Sequence, residues 1–112
     1  MQEIAIIETK LTQLQENILI ELNKTVNAPF ICKKFGIKPI TLTKTIQVLT
    51  DKNLVVNNAL TEKGKKMVHY LEFRNETISL FLKKHKILNT SEINKQLCSL
   101  DFKLIIALRN LL

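Results

Sequence analysis

Glycine and proline are scarce, two of each in 112 residues. A β-sandwich or barrel needs a turn former at nearly every strand end, so that composition excludes both and leaves helices with few interruptions. Cysteine is also held to two, Cys32 and Cys98, too few for a disulfide framework, and both are expected as reduced thiols. No apolar run approaches the roughly 20 residues of a membrane span. The opening MQEIAIIETK carries an acid at Glu3 and no basic stretch before its apolar residues, unlike a secretory signal. The expected location is the cytoplasm, with no membrane partner. Missing as well are a glycine-rich phosphate loop, a Ser-His-Asp set and a paired-carboxylate motif. His69 and His85 read as surface residues. The chain is therefore not expected to be an enzyme, nor to hold a cofactor or a metal.

What is present is apolar mass and localised charge. Hydrophobic residues make up 46% of the chain, enough for one packed core and against wholesale disorder. The formal net charge is +7, and all of it sits between Lys24 and Lys66. That span holds nine lysines against Asp51 and Glu62, while the remainder balances eight basic residues with eight acidic ones. A cationic excess confined to the middle of a chain is the footprint of a module that binds a polyanion.

Local signals divide the chain. Ile4, Ile7, Leu11, Leu14 and Ile18 form a heptad stripe, and Thr12 with Gln15 makes a capping box. One bent helix or two short ones reach about Asn23. Asn27-Ala28-Pro29 starts a short helix that stops at Gly36, which suits a left-handed position. Lys38-Pro39 opens another, running from Ile40 to about Lys52. Leu54-Val55-Val56 and Ala59-Leu60-Thr61 flank Asn57-Asn58, a pair that tolerates positive φ and predicts a very short hairpin. Thr61 caps a long helix to about Lys84. The cluster Asn89-Thr90-Ser91-Glu92 starts a last helix covering about Glu92 to Leu112.

That order is mainly α and predicts a winged helix-turn-helix with a very short β-hairpin wing and helical extensions at both ends. The pair between Phe30 and Ile46 meets the demands of the motif. Cys32 supplies a small residue at the helix crossing, Gly36 the turn, and Ile37 the apolar plug. Leu42, Ile46 and Leu49 supply the inward stripe of the second helix. Its other side then shows Ile40, Thr41, Thr43, Lys44, Gln47 and Asp51. The first residues of a helix laid in a major groove meet base edges. Gln47 suits adenine, Lys44 suits guanine or phosphate, and Ile40 and Thr41 suit a thymine methyl. Lys33, Lys34, Lys38 and Thr43 are expected on phosphates, which fix register rather than sequence. Asn57 and Asn58 at the wing, and Lys63 after it, complete the expected DNA-binding set.

The stretch from Leu11 to Lys66 resembles bacterial winged-helix regulators of the MarR kind. Leu11-Thr12 through Gln15 and Ile18-Leu19 is similar to their entry helix, and Leu42 to Leu49 to their recognition helix. Leu60-Thr61-Glu62-Lys63-Gly64-Lys65-Lys66 resembles the segment leaving the wing in both MarR-type and DtxR/MntR-type regulators. The metal-dependent DtxR/MntR pattern is incomplete here. Cys98 and Asp101 fit it, but Phe102 replaces a histidine, and Asn75 and Ser79 stand where histidine and glutamate belong. The wing also lacks the arginine that MarR-type proteins carry, since Asn57-Asn58 has no basic neighbour.

The ends carry apolar surplus. Ile93, Leu97, Leu100, Leu104, Leu108 and Leu111 recur at helical spacing, widened by Ile105, Ile106 and Leu112. A single domain over 1–112 is expected, with a DNA-binding core at 24–66 and helical dimerisation elements at 1–22 and 67–112. Ile4, Ile7, Leu11, Leu97, Leu100, Leu104, Leu108 and Leu111 are the expected contacts of a homodimer. The resulting expectation is a homodimeric repressor of transcription on double-stranded DNA. A winged helix that contacts protein instead is the alternative, and no effector can be read from the chain.

Overall fold

The computed structural model describes residues 10–88 and 90–112; the expectations for Ile4, Ile7 and Asn89 lie outside them. The described residues form a mainly α fold of six helices and one two-stranded antiparallel sheet. In chain order these are α1 (Gln13–Leu22), α2 (Ala28–Phe35), α3 (Pro39–Asp51), β1 (Val55–Val56), β2 (Ala59–Leu60), α4 (Glu62–Lys84), α5 (Ser91–Cys98) and α6 (Phe102–Asn110). Two compact units result, the first ending at His69 and the second spanning Tyr70–Leu112.

Short polar side chains set the boundaries of the first unit. Thr12 and Gln15 form the expected reciprocal box: Gln15 N–H donates to Thr12 Oγ1 at 3.2 Å and Thr12 N–H to Gln15 Oε1 at 3.0 Å. Asn27 Oδ1 accepts from Phe30 N–H at 3.0 Å and caps α2. Gly36 ends that helix at φ 62°, and Ile37 N–H returns to the Cys32 carbonyl at 3.0 Å. Pro39 then opens α3 with its φ preset and no N–H to satisfy.

At the other end of α3, Asn53 turns left-handed at φ 63° and Leu54 N–H bonds the Leu49 carbonyl at 3.0 Å. The hairpin follows at once, Val55 opposite Leu60 and Val56 opposite Ala59. Asn57 and Asn58 take φ 51° and 62°, the paired positive values of a type I′ turn, whose twist matches the strands it joins. Thr61 closes the base twice. Its hydroxyl donates to the Asn53 carbonyl at 2.7 Å and accepts from Gly64 N–H at 3.0 Å, capping α4.

The apolar centre of this unit is Ile18, Leu19 and Leu22 of α1, Ile31 of α2, Leu42 and Leu49 of α3, Leu54, Val55, and Met67 and Val68 of α4, all buried. α1 packs on α3 and on β2, and α3 packs on α2 and β1. Ile18, expected among the surplus of the N-terminal stripe, is spent inside the first unit. α1 is amphipathic toward its own neighbours, which single-helix periodicity does not reveal.

The second unit departs from expectation in one place. The last helix is not continuous to Leu112: it breaks after Cys98 and restarts at Phe102. Thr90 caps α5 through Ile93 N–H at 3.2 Å, and Asp101 caps α6 by accepting from Leu104 N–H at 2.9 Å. The restart turns Ile105 into the centre of the unit, where it is fully buried with Ile78 and Leu82. Ile105 therefore does not widen an outer face. Leu97, Leu100 and Leu108 pack half-buried on that cluster with Phe73, Phe81 and Ile93.

Candidate nucleic-acid interface

α3 is built to bury one side and show the other. Leu42, Thr45 and Leu49 are buried, whereas Ile40, Thr43, Lys44, Gln47 and Asp51 are exposed. The inward row differs from the expected one at a single position. Ile46 is only half-buried and Thr45 takes the inner place. A threonine fits there because its hydroxyl donates to the Thr41 carbonyl one turn back, at 2.8 Å, so no polar group is left unpaired. Thr43 and Thr50 bond back in the same way, to Pro39 at 3.0 Å and Ile46 at 2.8 Å. Thr43 thus keeps only its oxygen lone pairs for a ligand and must swing its proton away from Pro39 to serve a phosphate, which accepts only. Thr41 is half-buried, and its methyl is less available to a thymine than that of a fully exposed residue.

The lysines fall into two groups. Lys24, Lys33, Lys38 and Lys44 are exposed and have no partner among the described residues. Lys34, expected on phosphates, and Lys63, expected in the DNA-binding set after the wing, already have internal partners. Lys34 Nζ lies 2.8 Å from Oε2 of Glu21, a carboxylate whose side chain is only 6% exposed. Lys63 Nζ donates to the Lys52 carbonyl at 3.3 Å, satisfying an acceptor at the end of α3. Lys52 in turn donates to the Lys10 carbonyl at 2.6 Å. Summing charge along the sequence does not separate a cation that holds the fold from one that is free for a ligand.

A groove of about 500 Å³ runs beside the exposed side of α3. Its walls come from Pro29 and Cys32 of α2, from Leu42, Thr43, Ile46 and Gln47 of α3, and from the hairpin turn. The structure therefore brings Thr43, Gln47, Asn57 and Asn58, four expected contact residues, onto one concavity. Cys32, the small residue expected at the helix crossing, is half-buried and forms part of the wall. Around the same region Val26, Phe30 and Ile40 are exposed by 68%, 50% and 61%. The sequence motif flagged only Ile40 among these, because nothing in the spacing of α2 distinguishes Phe30 from a core residue.

The expected dimer contacts are placed unevenly. Leu104 and Leu111 are exposed by 50% and 69%, Leu11 is half-buried, and Leu97, Leu100 and Leu108 lie against the second unit's own core. Leu80 and Leu88 add exposure of 41% and 79% in the same unit. Cys98 and Asp101 serve local structure: the Cys98 thiol lies 3.3 Å from Asn94 Oδ1, and Asp101 caps α6. No group of three His, Cys, Asp or Glu side chains capable of holding a metal occurs among the described residues. None of the described helices is long and apolar enough to cross a membrane. Compared with known proteins, the chain matches no family model, no curated protein and no solved structure.

Proposed function

We propose that the chain is a winged helix-turn-helix protein, of the kind the MarR-type regulators represent, that binds double-stranded DNA as a homodimer and represses transcription in the cytoplasm. α2 and α3 are the helix-turn-helix, α3 enters the major groove, and the Asn57-Asn58 hairpin is the wing. One observation carries the reading. The Ile40, Thr43, Lys44 and Gln47 side of α3 is uncovered, and Lys33, Lys38 and Lys44 around it have no partner among the described residues. Free cations beside an uncovered polar helix face favour a ligand with a dense array of phosphates. Leu104 and Leu111, exposed in the second unit, supply the apolar surface for a second copy.

The test is duplex binding as a function of salt. Each phosphate neutralised contributes about −0.9 to the slope of log affinity on log salt, so a steep negative slope is expected. Weak binding that is flat in salt sinks the reading.

A second reading has one observation in its favour. The groove beside α3 is lined in part by Ala28, Pro29, Leu42 and Ile46, and Phe30 and Ile40, sequence neighbours of its lining residues Pro29 and Pro39, are exposed. Under that reading the same concavity receives a protein segment. Such a complex would tolerate added salt and would be lost in Phe30→Ala, whereas DNA binding would weaken with salt and keep most of its strength in that variant.

A further inference from the structure

Asp51 is an acid on the exposed side of α3, a place where it should be unwelcome. It occupies the last residue of the helix, where the carbonyl ends of the backbone disfavour negative charge, and no basic residue shares its turn. It has no ion-pair partner among the described residues. On a surface that meets phosphates it also repels the ligand. Among the described residues its side chain hydrogen-bonds to Gln47 alone, whose Nε2 donates to Asp51 Oδ1 at 3.0 Å, one turn back along the helix. A carboxylate only accepts, so this contact fixes which end of the Gln47 amide faces it. The NH2 end turns toward Asp51, leaving the carbonyl Oε1 and one N–H for a ligand.

We infer that Asp51 is a positioning residue that sets the base preference of Gln47. The inference rests on the DNA-reading function proposed above. Adenine presents in the major groove one acceptor, N7, beside one donor, N6–H2, which match an amide N–H and carbonyl side by side. Guanine presents two acceptors, and the held carbonyl of Gln47 meets O6 or N7 with like polarity. A Gln47 free to turn can donate to guanine with its carbonyl rotated away; one held by Asp51 keeps a single N–H for guanine and sets its carbonyl against the second acceptor. In the free protein both residues are exposed, and water competes for the contact. Once the groove is filled, that water leaves and a charge-assisted bond strengthens. Asp51 thus trades general affinity for discrimination.

The test compares wild type, Gln47→Ala, Asp51→Ala and the double variant. They are titrated on duplexes that differ only in an A·T or G·C pair at the position whose preference Gln47→Ala removes, after selection from randomised duplex. Wild type is expected to favour adenine by roughly tenfold. Asp51→Ala is expected to lower that ratio roughly threefold, the cost of a side chain no longer held in place, while binding both duplexes more tightly. On the Gln47→Ala background, Asp51→Ala raises affinity and moves no preference. A wild-type preference left intact in Asp51→Ala overturns the positioning role alone. So does a preference that Asp51→Ala shifts without Gln47, because Asp51 then touches the base itself. Failure of wild type to bind any duplex removes the proposed function and this inference together.

Discussion

A β-carbon placed on Gly64 would lie 2.1 Å from the carbonyl oxygen of Leu54. The first turn of α4 therefore runs against the backbone that enters the hairpin, at a separation only a hydrogen allows. Because the obstacle is main chain and not the tip of a flexible side chain, Gly64→Ala must shift the helix or the strand. Alanine is the better helix former by about 1 kcal/mol, which offsets part of the loss. The net expectation is a destabilisation of about 1–3 kcal/mol, read as a lower denaturation midpoint in urea. A Gly64→Ala protein as stable as wild type would mean that the hairpin does not pack on α4.

Asp101 is the counterpart in the second unit. Its carboxylate accepts the Leu104 N–H at 2.9 Å and begins α6. Asp101→Ala leaves that donor without its cap and is expected to cost about 1 kcal/mol, whereas Asp101→Asn, which caps as well, costs a few tenths. Hydrogen exchange of the α6 amides distinguishes the two variants. Equal protection in Asp101→Ala and Asp101→Asn would remove the cap from the account.

These two positions mark where the sequence was and was not legible. The caps at Thr12, Asn27 and Thr61, the left-handed Gly36 and the Asn57-Asn58 turn all act within about four residues, so short patterns betray them. Asp101 acts just as locally, yet Leu97, Leu100, Leu104 and Leu108 keep helical spacing straight through the break, and that periodicity hides the restart. The role of Gly64 is hidden for another reason. It depends on a contact with Leu54, and in the sequence the residue reads only as a mild weakness in a helix. The candidate interface divides in the same manner. Exposure of Lys44 and Gln47 follows from the stripe of α3, but the pairing of Lys34 with Glu21 requires two helices to be docked.

Lys33 and Lys34 are neighbours with opposite expected roles. Lys34 neutralises Glu21, whose side chain is only 6% exposed, but the lysine side chain is 43% exposed and the pair is partly screened by solvent. Lys34→Ala leaves Glu21 buried without its partner, and the expected loss of stability is about 1 kcal/mol, with little change in the salt slope of the proposed DNA binding. Lys33→Ala should leave the melting temperature alone and reduce the magnitude of that slope by about 1, weakening all duplexes alike. If the two variants exchange these effects, the assignment of free and committed cations is wrong.

Leu104 and Ile105 are adjacent on α6 and should separate assembly from folding. Ile105 is fully buried with Ile78 and Leu82, so Ile105→Ala removes core volume and is expected to cost about 2–5 kcal/mol. Leu104 is 50% exposed, and outside a dimer its truncation should cost well under 1 kcal/mol. In the proposed homodimer, Leu104→Glu places a charge in the contact between copies. Sedimentation of that variant should then report a monomer that keeps its helical content and its thermal transition. Its affinity for a duplex with two half-sites should fall toward that for one half-site, because linked binding of two recognition helices is lost. A Leu104→Glu protein that stays dimeric would place the contact elsewhere on the second unit, with Leu80 and Leu88 the next exposed leucines to vary.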